Sequence, residues 1–344
     1  MTQSIRDTDD LVQVAWLYHV GRQSQEEVSR ALGISRFKVL RLLAEARDHG
    51  LVRVSIAHET TDTLALADRL VARFGLTEAR VAPMPGPPAD EGAARRAVGI
   101  LAAGFLTRIG RDGPLTIGVG WGRTMAAMAQ ALTGLRNPGL CFVSLMGSMA
   151  RTAETSPFDV CTRLAALTGG SAMFLPAPFL TDSEADCRVV LNQRLVRETL
   201  NAARAARHAI ISLGDCSADA LLSTSGILTA DEAAALAAAG AVADSTGKFF
   251  CADGTLAQTD LNRRAPSIGL DDLRATDVTL LAAGAGKAAA TLALMRAGFV
   301  DRLIADEGVT SPVVMMYREG DQSLDVTRLR EEVERRKDDM GVRG

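Results

Sequence analysis

The sequence predicts an α/β protein: an N-terminal winged helix-turn-helix followed by a doubly wound, mainly parallel α/β domain. Three observations carry that prediction. The first 58 residues run helix, short helix, glycine turn, helix, strand. From about residue 93, short apolar runs alternate with alanine-rich helical stretches, the pattern of a parallel sheet covered on both faces. The chain has 344 residues, 47% hydrophobic and 23% charged, enough for two globular domains at roughly 150 residues each. Only 4% are aromatic, so the core must be built from Ala, Leu and Val, small side chains that let helices pack closely on a sheet.

Leu11, Val14, Ala15 and Tyr18 recur at i, i+3, i+4, i+7 and predict a first amphipathic helix, ended by Gly21. Ser24 and Glu27 have the spacing of a capping box and open a short helix through Val28 and Ala31 to Leu32. Gly33-Ile34-Ser35 makes a tight turn, with Ser35 as a second N-cap. Val39, Leu42, Leu43 and Ala46 form the inward stripe of a third helix, stopped by Gly50. Leu51–Ile56 then alternates apolar with polar, as a half-buried strand does. Arg36, Lys38 and Arg41 lie off the apolar stripe, at the start of the third helix, where a recognition helix meets base edges and phosphates. With Ser35 they are the groove candidates, and Ser24 and Gln25 are the phosphate candidates. The alternatives are a solvated basic face and a three-helix protein-binding module.

Residues 59–92 read as a helical connector followed by a loop punctuated by Pro83, Pro85, Pro87 and Pro88. Residues 93–316 are the expected α/β domain. A helix through Ala97 to Ile109 precedes a strand at Leu115–Val119. Further strand-like runs are Leu140–Leu145, Ala172–Leu175, His208–Leu213, Val278–Leu281 and Arg302–Ile304. Residues 317–344 form a densely charged tail, a solvated helix or a disordered segment, with no assigned function.

Charge and cysteine usage exclude several classes. Thirty-eight Lys and Arg against 41 Asp and Glu leave a net charge of −3, so the chain is no wholly basic nucleic-acid coat. Any DNA contact must come from a local patch. The N-terminus has no apolar core for a signal peptide, and no window is long and apolar enough to span a bilayer. The five cysteines, Cys141, Cys161, Cys187, Cys216 and Cys251, show no CxxC spacing and no clustering with histidine. Free thiols in a reducing cytoplasm are expected, with no metal and no cofactor.

The main chemical motif is Gly118-Val119-Gly120-Trp121-Gly122-Arg123-Thr124, between a strand and a helix. Glycines bring backbone N–H groups close to an anion, and a helix N-terminus adds its dipole. A dinucleotide fingerprint would need Gly where Arg123 stands. The alternative is a glycine turn that serves packing alone. Gly284-Ala285-Gly286-Lys287 also joins a strand to a helix, but Leu281 and Ala288 break the nucleotide P-loop pattern. Lys287 is left as an anion contact or an exposed surface lysine. Met146-Gly147-Ser148, Leu213-Gly214-Asp215, Asp244–Lys248 and Asp306-Glu307 bring polar groups to the same sheet edge, as ligand contacts or as ordinary caps and turns. No Ser-His-Asp set is visible, and no carboxylate spacing selects an acid–base pair.

These residues carry a resemblance. Ala15–Tyr18, Ser24–Val28, Leu32–Arg36, Lys38-Val39, Arg41–Leu43, Glu45–Arg47 and Gly50–Val52 resemble the DNA-binding domain of the SorC family of bacterial sugar-metabolism regulators. Gly118–Thr124, Ile211–Gly214, Gly240–Asp244, Phe249-Phe250 with Asp253-Gly254, Ile268-Gly269 and Asp306-Glu307 resemble that family's sugar-binding domain. The family's effector domain is similar to sugar-phosphate isomerases and deaminases that have lost their catalysis. The resemblance implies that Gly120, Gly122, Arg123 and Thr124 hold a phosphate or an equivalent hydroxyl-rich group, and that Lys287 closes the site. The family usually carries Ala-Gly-Gly, two residues, then Lys; here Ala283 replaces the second of those positions. Met146–Met149 likewise replaces a commoner Gly-Gly pair.

The expected protein is a transcriptional regulator of a carbohydrate or polyol catabolic operon, not an enzyme. Its expected partners are double-stranded operator DNA, a sugar, polyol or sugar-phosphate effector, and further copies of itself as a homodimer or homotetramer. No membrane is expected among them. The expected effector contacts are Gly118, Gly120, Trp121, Gly122, Arg123, Thr124, Gly147, Ser148, Asp215, Asp244, Lys287 and Asp306. The alternative is an isomerase- or deaminase-type enzyme with an added N-terminal domain.

Overall fold

A computed structural model describes residues 2–48, 50–52, 61–84, 90–148, 157–217, 220–224 and 226–317. The chain divides into two compact units, Met1–His58 and Glu59–Gly344. The charged tail from residue 318 onward lies outside the described residues. Among the described residues no helix is long and apolar enough to cross a membrane. None of their His, Cys, Asp and Glu side chains group in a way that would hold a metal ion.

The first unit contains α1 (Thr2–His19), α2 (Gln25–Leu32) and α3 (Arg36–Asp48). Leu11, Val14 and Ala15 of α1 bury against Val28 of α2 and against Val39, Leu42, Leu43 and Ala46 of α3, the stripe that the 3.6-residue period selects. The capping box is formed at both bonds: Glu27 N–H donates to Ser24 Oγ at 3.3 Å, and Ser24 N–H donates to the Glu27 carboxylate at 2.7 Å. Gly33 ends α2 in the left-handed region, at φ 63°. Leu51 and Val52 are irregular, and the rest of the expected strand at Leu51–Ile56 lies outside the described residues.

The second unit opens with α4 (Thr61–Phe74), β1 (Glu78–Ala82), α5 (Glu91–Ile109), β2 (Leu115–Val119) and α6 (Arg123–Ala131). It continues through β3 (Leu140–Ser144), α7 (Pro157–Thr168), β4 (Ser171–Met173), α8 (Glu184–Leu191), α9 (Arg194–Arg204), β5 (His208–Ser212) and β6 (Gly214–Asp215). Then follow α10 (Leu221–Thr224), α11 (Ala230–Ala238), β7 (Ala241–Ser245), β8 (Lys248–Cys251), α12 (Leu261–Arg264) and α13 (Leu270–Arg274). It closes with β9 (Asp277–Ala282), α14 (Ala288–Arg296), β10 (Arg302–Asp306) and α15 (Glu307–Met316).

Seven strands form one parallel sheet in the order β1-β10-β9-β5-β2-β3-β4. Successive strands run outward from β2 to β3 and β4 on one side and return at β5 on the other. The crevice between the carboxyl ends of β2 and β5 is therefore a topological switch point. One apolar cluster gathers α4, α14 and α15, and a second gathers α5, α6 and α7. Close approach needs small residues: a Cβ on Gly99 of α5 would lie 2.7 Å from the backbone of Ala127 in α6.

Two features depart from the sequence expectation. The segment read as a connector supplies β1, in register with β10 from Glu78↔Arg302 to Ala82↔Asp306. Glu-Ala-Arg-Val-Ala is an edge strand of five residues whose first three positions are half-buried, so its apolar signal is weak. A second sheet, antiparallel β6-β7-β8, is the other departure. β6 has two residues and β7 to β8 carries a register shift between Ala241 and Ala243, which breaks strict alternation.

Four neighbouring strands begin with alternating charge. Glu78, Arg302, Asp277 and His208 open β1, β10, β9 and β5, which are adjacent in that order. Arg302 pairs with Asp277 and lies 3.6 Å from Glu78, while His208 Nδ1 lies 3.2 Å from Asp277. Burial works to raise the Asp277 carboxyl, but the His208 hydrogen bond and the Arg302 charge outweigh it and hold it below the usual range.

Candidate functional site

The loops after β2, β5 and β9 enclose a cleft of about 530 Å³, including its open mouth. One wall is Trp121, Gly122, Arg123 and Thr124, the end of β2 and the start of α6. The β5 loop adds Ser212, Leu213, Gly214 and Asp215, and the β9 loop adds Ala283 and Lys287. Arg95 of α5 and Asp244 of β7 complete the polar lining.

The N-terminus of α6 is the electrostatic focus. Gly122 caps it at φ 118°, without a side-chain cap bond, and its first turn carries no acid. The free N–H groups and the helix dipole there are therefore uncompensated. Arg123 adds an exposed cation, and among the described residues no carboxylate pairs with it. A cation at a helix N-terminus is electrostatically unfavourable until an anion arrives. Arg95 of α5, which packs on α6, also lines the cleft and is paired with Glu91 at 2.8 Å.

The opposite wall is acidic. Lys287 pairs with Asp215, and Ser217 donates a backbone hydrogen bond to the same carboxylate at 3.0 Å. Burial would raise Asp215, but the bonds from Lys287 and Ser217 hold it down to about 2. Asp244 is buried, and its carboxyl is pushed up to about 7 because burial and the Asp215 charge outweigh the attraction of Lys287. A raised acid binds its proton in the folded state while the unfolded chain has already released it. Stability therefore falls as pH rises from about 4 to about 7, by ~1.4 kcal/mol for each unit of the raise. Asp244→Asn is expected to flatten that fall. Urea melts of both chains at pH 5 and pH 8 check it: the stability of the variant relative to the wild type should rise from the lower pH to the higher.

Ser212 joins the walls. Its hydroxyl donates to the Trp121 carbonyl, and its own carbonyl accepts from Ser245 Oγ at 2.9 Å. Trp121 packs its ring against Phe179, 5.8 Å between centroids.

Of the twelve residues expected from sequence, seven line this cleft: Trp121, Gly122, Arg123, Thr124, Asp215, Asp244 and Lys287. Five do not. A Cβ on Gly118 would stand 2.6 Å from Leu145 Cδ2, and one on Gly120 3.1 Å from Ile211 Cα. Both glycines are required by strand packing. Gly147 and Ser148 fasten the end of β3 to a neighbouring loop: Gly147 N–H donates to Pro266 and Ser148 N–H to Ala177. A Cβ on Gly147 would meet the Pro178 carbonyl. Asp306 caps α15, its two carboxylate oxygens accepting from Gly284 N–H at 2.8 Å and Gly308 N–H at 2.9 Å. Sequence reasoning missed Arg95 and Ser212. Arg95 lies within a helix that carries no motif, and Ser212 within a strand.

In the first unit, Ser35 Oγ caps α3 by accepting from Lys38 N–H at 3.2 Å. Arg36 donates to Gln25 at 3.3 Å, Lys38 lies 3.5 Å from Asp10, and Arg41 lies 3.4 Å from Glu45. All these contacts are long and solvent-exposed, so each holds its cation weakly, ~1 kcal/mol or less. Phosphate can replace them. Phe37 is 86% exposed beside these cations, an apolar contact that the inward stripe did not reveal.

Comparison with known proteins gives a consistent picture. The family model described as "Putative sugar-binding domain" matches residues 58–314. The erythritol catabolism regulatory protein EryD of Brucella abortus is 32% identical over 311 residues, covering 90% of this chain and 98% of that protein. The deoxyribonucleoside regulator of Bacillus subtilis is 27% identical, covering 88% and 96%. Among solved structures, the full-length sorbitol operon regulator SorC of Klebsiella pneumoniae superposes with a TM-score of 0.66 at 20% identity, over 88% of this chain and 98% of that one. The chain belongs to the sugar-binding-domain family of SorC-like transcriptional regulators.

Proposed function

We propose that the chain regulates transcription of a carbohydrate or polyol catabolic operon from the cytoplasm. The first unit reads operator DNA through Ser35, Arg36, Lys38 and Arg41, with Ser24 and Gln25 on phosphate. The cleft of the second unit binds a sugar, polyol or sugar phosphate and shifts DNA affinity, by on the order of 1–3 kcal/mol. The observation that carries this reading is Arg123 at the start of α6, without a carboxylate partner among the described residues, lining one cleft with Asp215 and Asp244. Such a cleft suits a ligand that is anionic at one end and rich in hydroxyls at the other. A net charge of −3 and one small DNA-contacting unit per chain favour a homodimer or homotetramer on repeated half-sites.

The test is a thermal-shift panel pairing each sugar or polyol with its phosphate. A phosphate-only shift fits the anion seat; a shift with the free polyol alone assigns Arg123 and Lys287 to hydroxyls or to structure. On DNA, Arg36→Ala is expected to relax operator preference, at ~1–3 kcal/mol of discrimination. Lys38→Ala should instead weaken all sequences alike and flatten the salt dependence. Titrations of operator and scrambled duplexes at two salt concentrations separate the two effects, and no change in either variant would dismiss α3 as the reading helix.

The second reading is an isomerase or deaminase. Asp244 favours it, since an acid poised near 7 beside Lys287 suits proton transfer. Turnover of a phosphosugar by the pure protein would establish it.

A further inference from the structure

The outward face of α3 carries apolar side chains between its cations. Phe37 is 86% exposed and Leu40 43%, and Arg41 and Ala44 are exposed beside them. At about 100° per residue, these four span one face roughly 100° wide. The buried stripe of Val39, Leu42, Leu43 and Ala46 occupies the opposite side. Arg36 and Lys38 stand about 100° to either side of Phe37, and the first turn carries no acid. Phe37 is the second residue of α3, in the N-terminal turn that contacts base edges in a helix-turn-helix.

We propose that Phe37 and Leu40 read thymine, by packing on its C5 methyl group in the major groove. The proposal rests on the DNA-reading role of α3. The occupant follows from the order of side chains round the helix. Cations on both sides with apolar surface between them match a groove walled by phosphates and floored by base edges. Neither Phe nor Leu has a hydrogen-bonding group, so neither can read the donors and acceptors that mark guanine, cytosine and adenine. The thymine methyl is the apolar feature of that floor. Covering it with a side chain that water otherwise surrounds removes apolar surface on both partners.

Spacing and selectivity follow. Residues at i and i+3 have Cβ atoms about 5–6 Å apart, and bases along one strand rise about 3.4 Å. The two side chains therefore reach thymines one or two steps apart. Opposite cytosine they would cover an amino group without bonding it, so the wrong base is penalised as well as unrewarded. The cations supply affinity and, through Arg36, a guanine contact. The apolar pair adds a requirement for thymine at a fixed offset from it.

Uracil tests this directly, because it lacks only the methyl and still pairs with adenine. Duplexes retained by the full wild-type chain from a random-sequence pool are resynthesised with deoxyuridine for thymidine, one position at a time. At two positions in each half-site, affinity should fall about fourfold, the worth of one buried methyl. Phe37→Ala should bind the thymine and uracil duplexes alike at one of these positions, and Leu40→Ala at the other. Both side chains are exposed, so each variant should keep the wild-type Tm. Equal affinity for thymine and uracil at every position overturns the proposal and leaves the DNA-reading role standing. A methyl effect that persists undiminished in both variants also overturns it. Retention of no duplex at all overturns the DNA-reading role, and this proposal with it.

Discussion

Arg123→Ala is expected to erase the ligand response while leaving operator binding intact. The side chain is exposed, and among the described residues no carboxylate pairs with it. Its removal should therefore leave the Tm of the free protein within a degree or two. A charge-assisted hydrogen bond to phosphate is worth ~1.5–3 kcal/mol, roughly a 10- to 150-fold loss of affinity. Ligand at 100 times its Kd stabilises the native state by ~2.7 kcal/mol. The same concentration stabilises a variant weakened 100-fold by only ~0.4 kcal/mol. For a domain of this size that difference is about 5–9 °C of Tm, easily read by thermal shift. An undiminished shift in the variant would remove Arg123 from the anion seat.

Asp306→Ala is expected to be the most damaging of the changes named here, for a different reason. Asp306 is 2% exposed and holds two backbone donors, Gly284 N–H and Gly308 N–H. Alanine leaves both without an acceptor and also removes the N-cap of α15. Each stranded donor costs ~1–3 kcal/mol, so the loss is ~2–6 kcal/mol of a total near 5–15 kcal/mol. Gly284 opens the turn that carries Lys287, so ligand affinity should fall with stability. Urea denaturation measures the first effect. A variant within 1 kcal/mol of wild type would contradict the assignment of Asp306 as a structural cap.

Asp306 also shows what the sequence hides. From the chain alone, an acid at the end of a strand looks like a ligand contact and a helix cap equally, and only the position of Gly284 decides. Gly118 and Gly120 are similar: a glycine motif reads as a phosphate cradle, yet two of its three glycines answer to neighbouring strands. Gly122, Arg123 and Thr124 were legible because strand, glycine and helix follow one another within seven residues. The helix-turn-helix was legible for the same reason, since its caps, turn and stripe are all local. Arg95 and β1 were not, because the groups with which Arg95 lines the cleft and the strand on which β1 pairs lie far away in sequence: β1 meets β10 across more than two hundred residues.

The alternating charges that open β1, β10, β9 and β5 lie at the opposite ends of the strands from the ligand loops. One end of the sheet thus answers to acid and salt, the other to the proposed effector. As pH falls through the lowered range of Asp277, the support it gives the first end fades, while the proposed effector would still tighten the second. Acid tolerance and effector response are therefore properties that natural drift or engineering can adjust separately, although the same strands carry both.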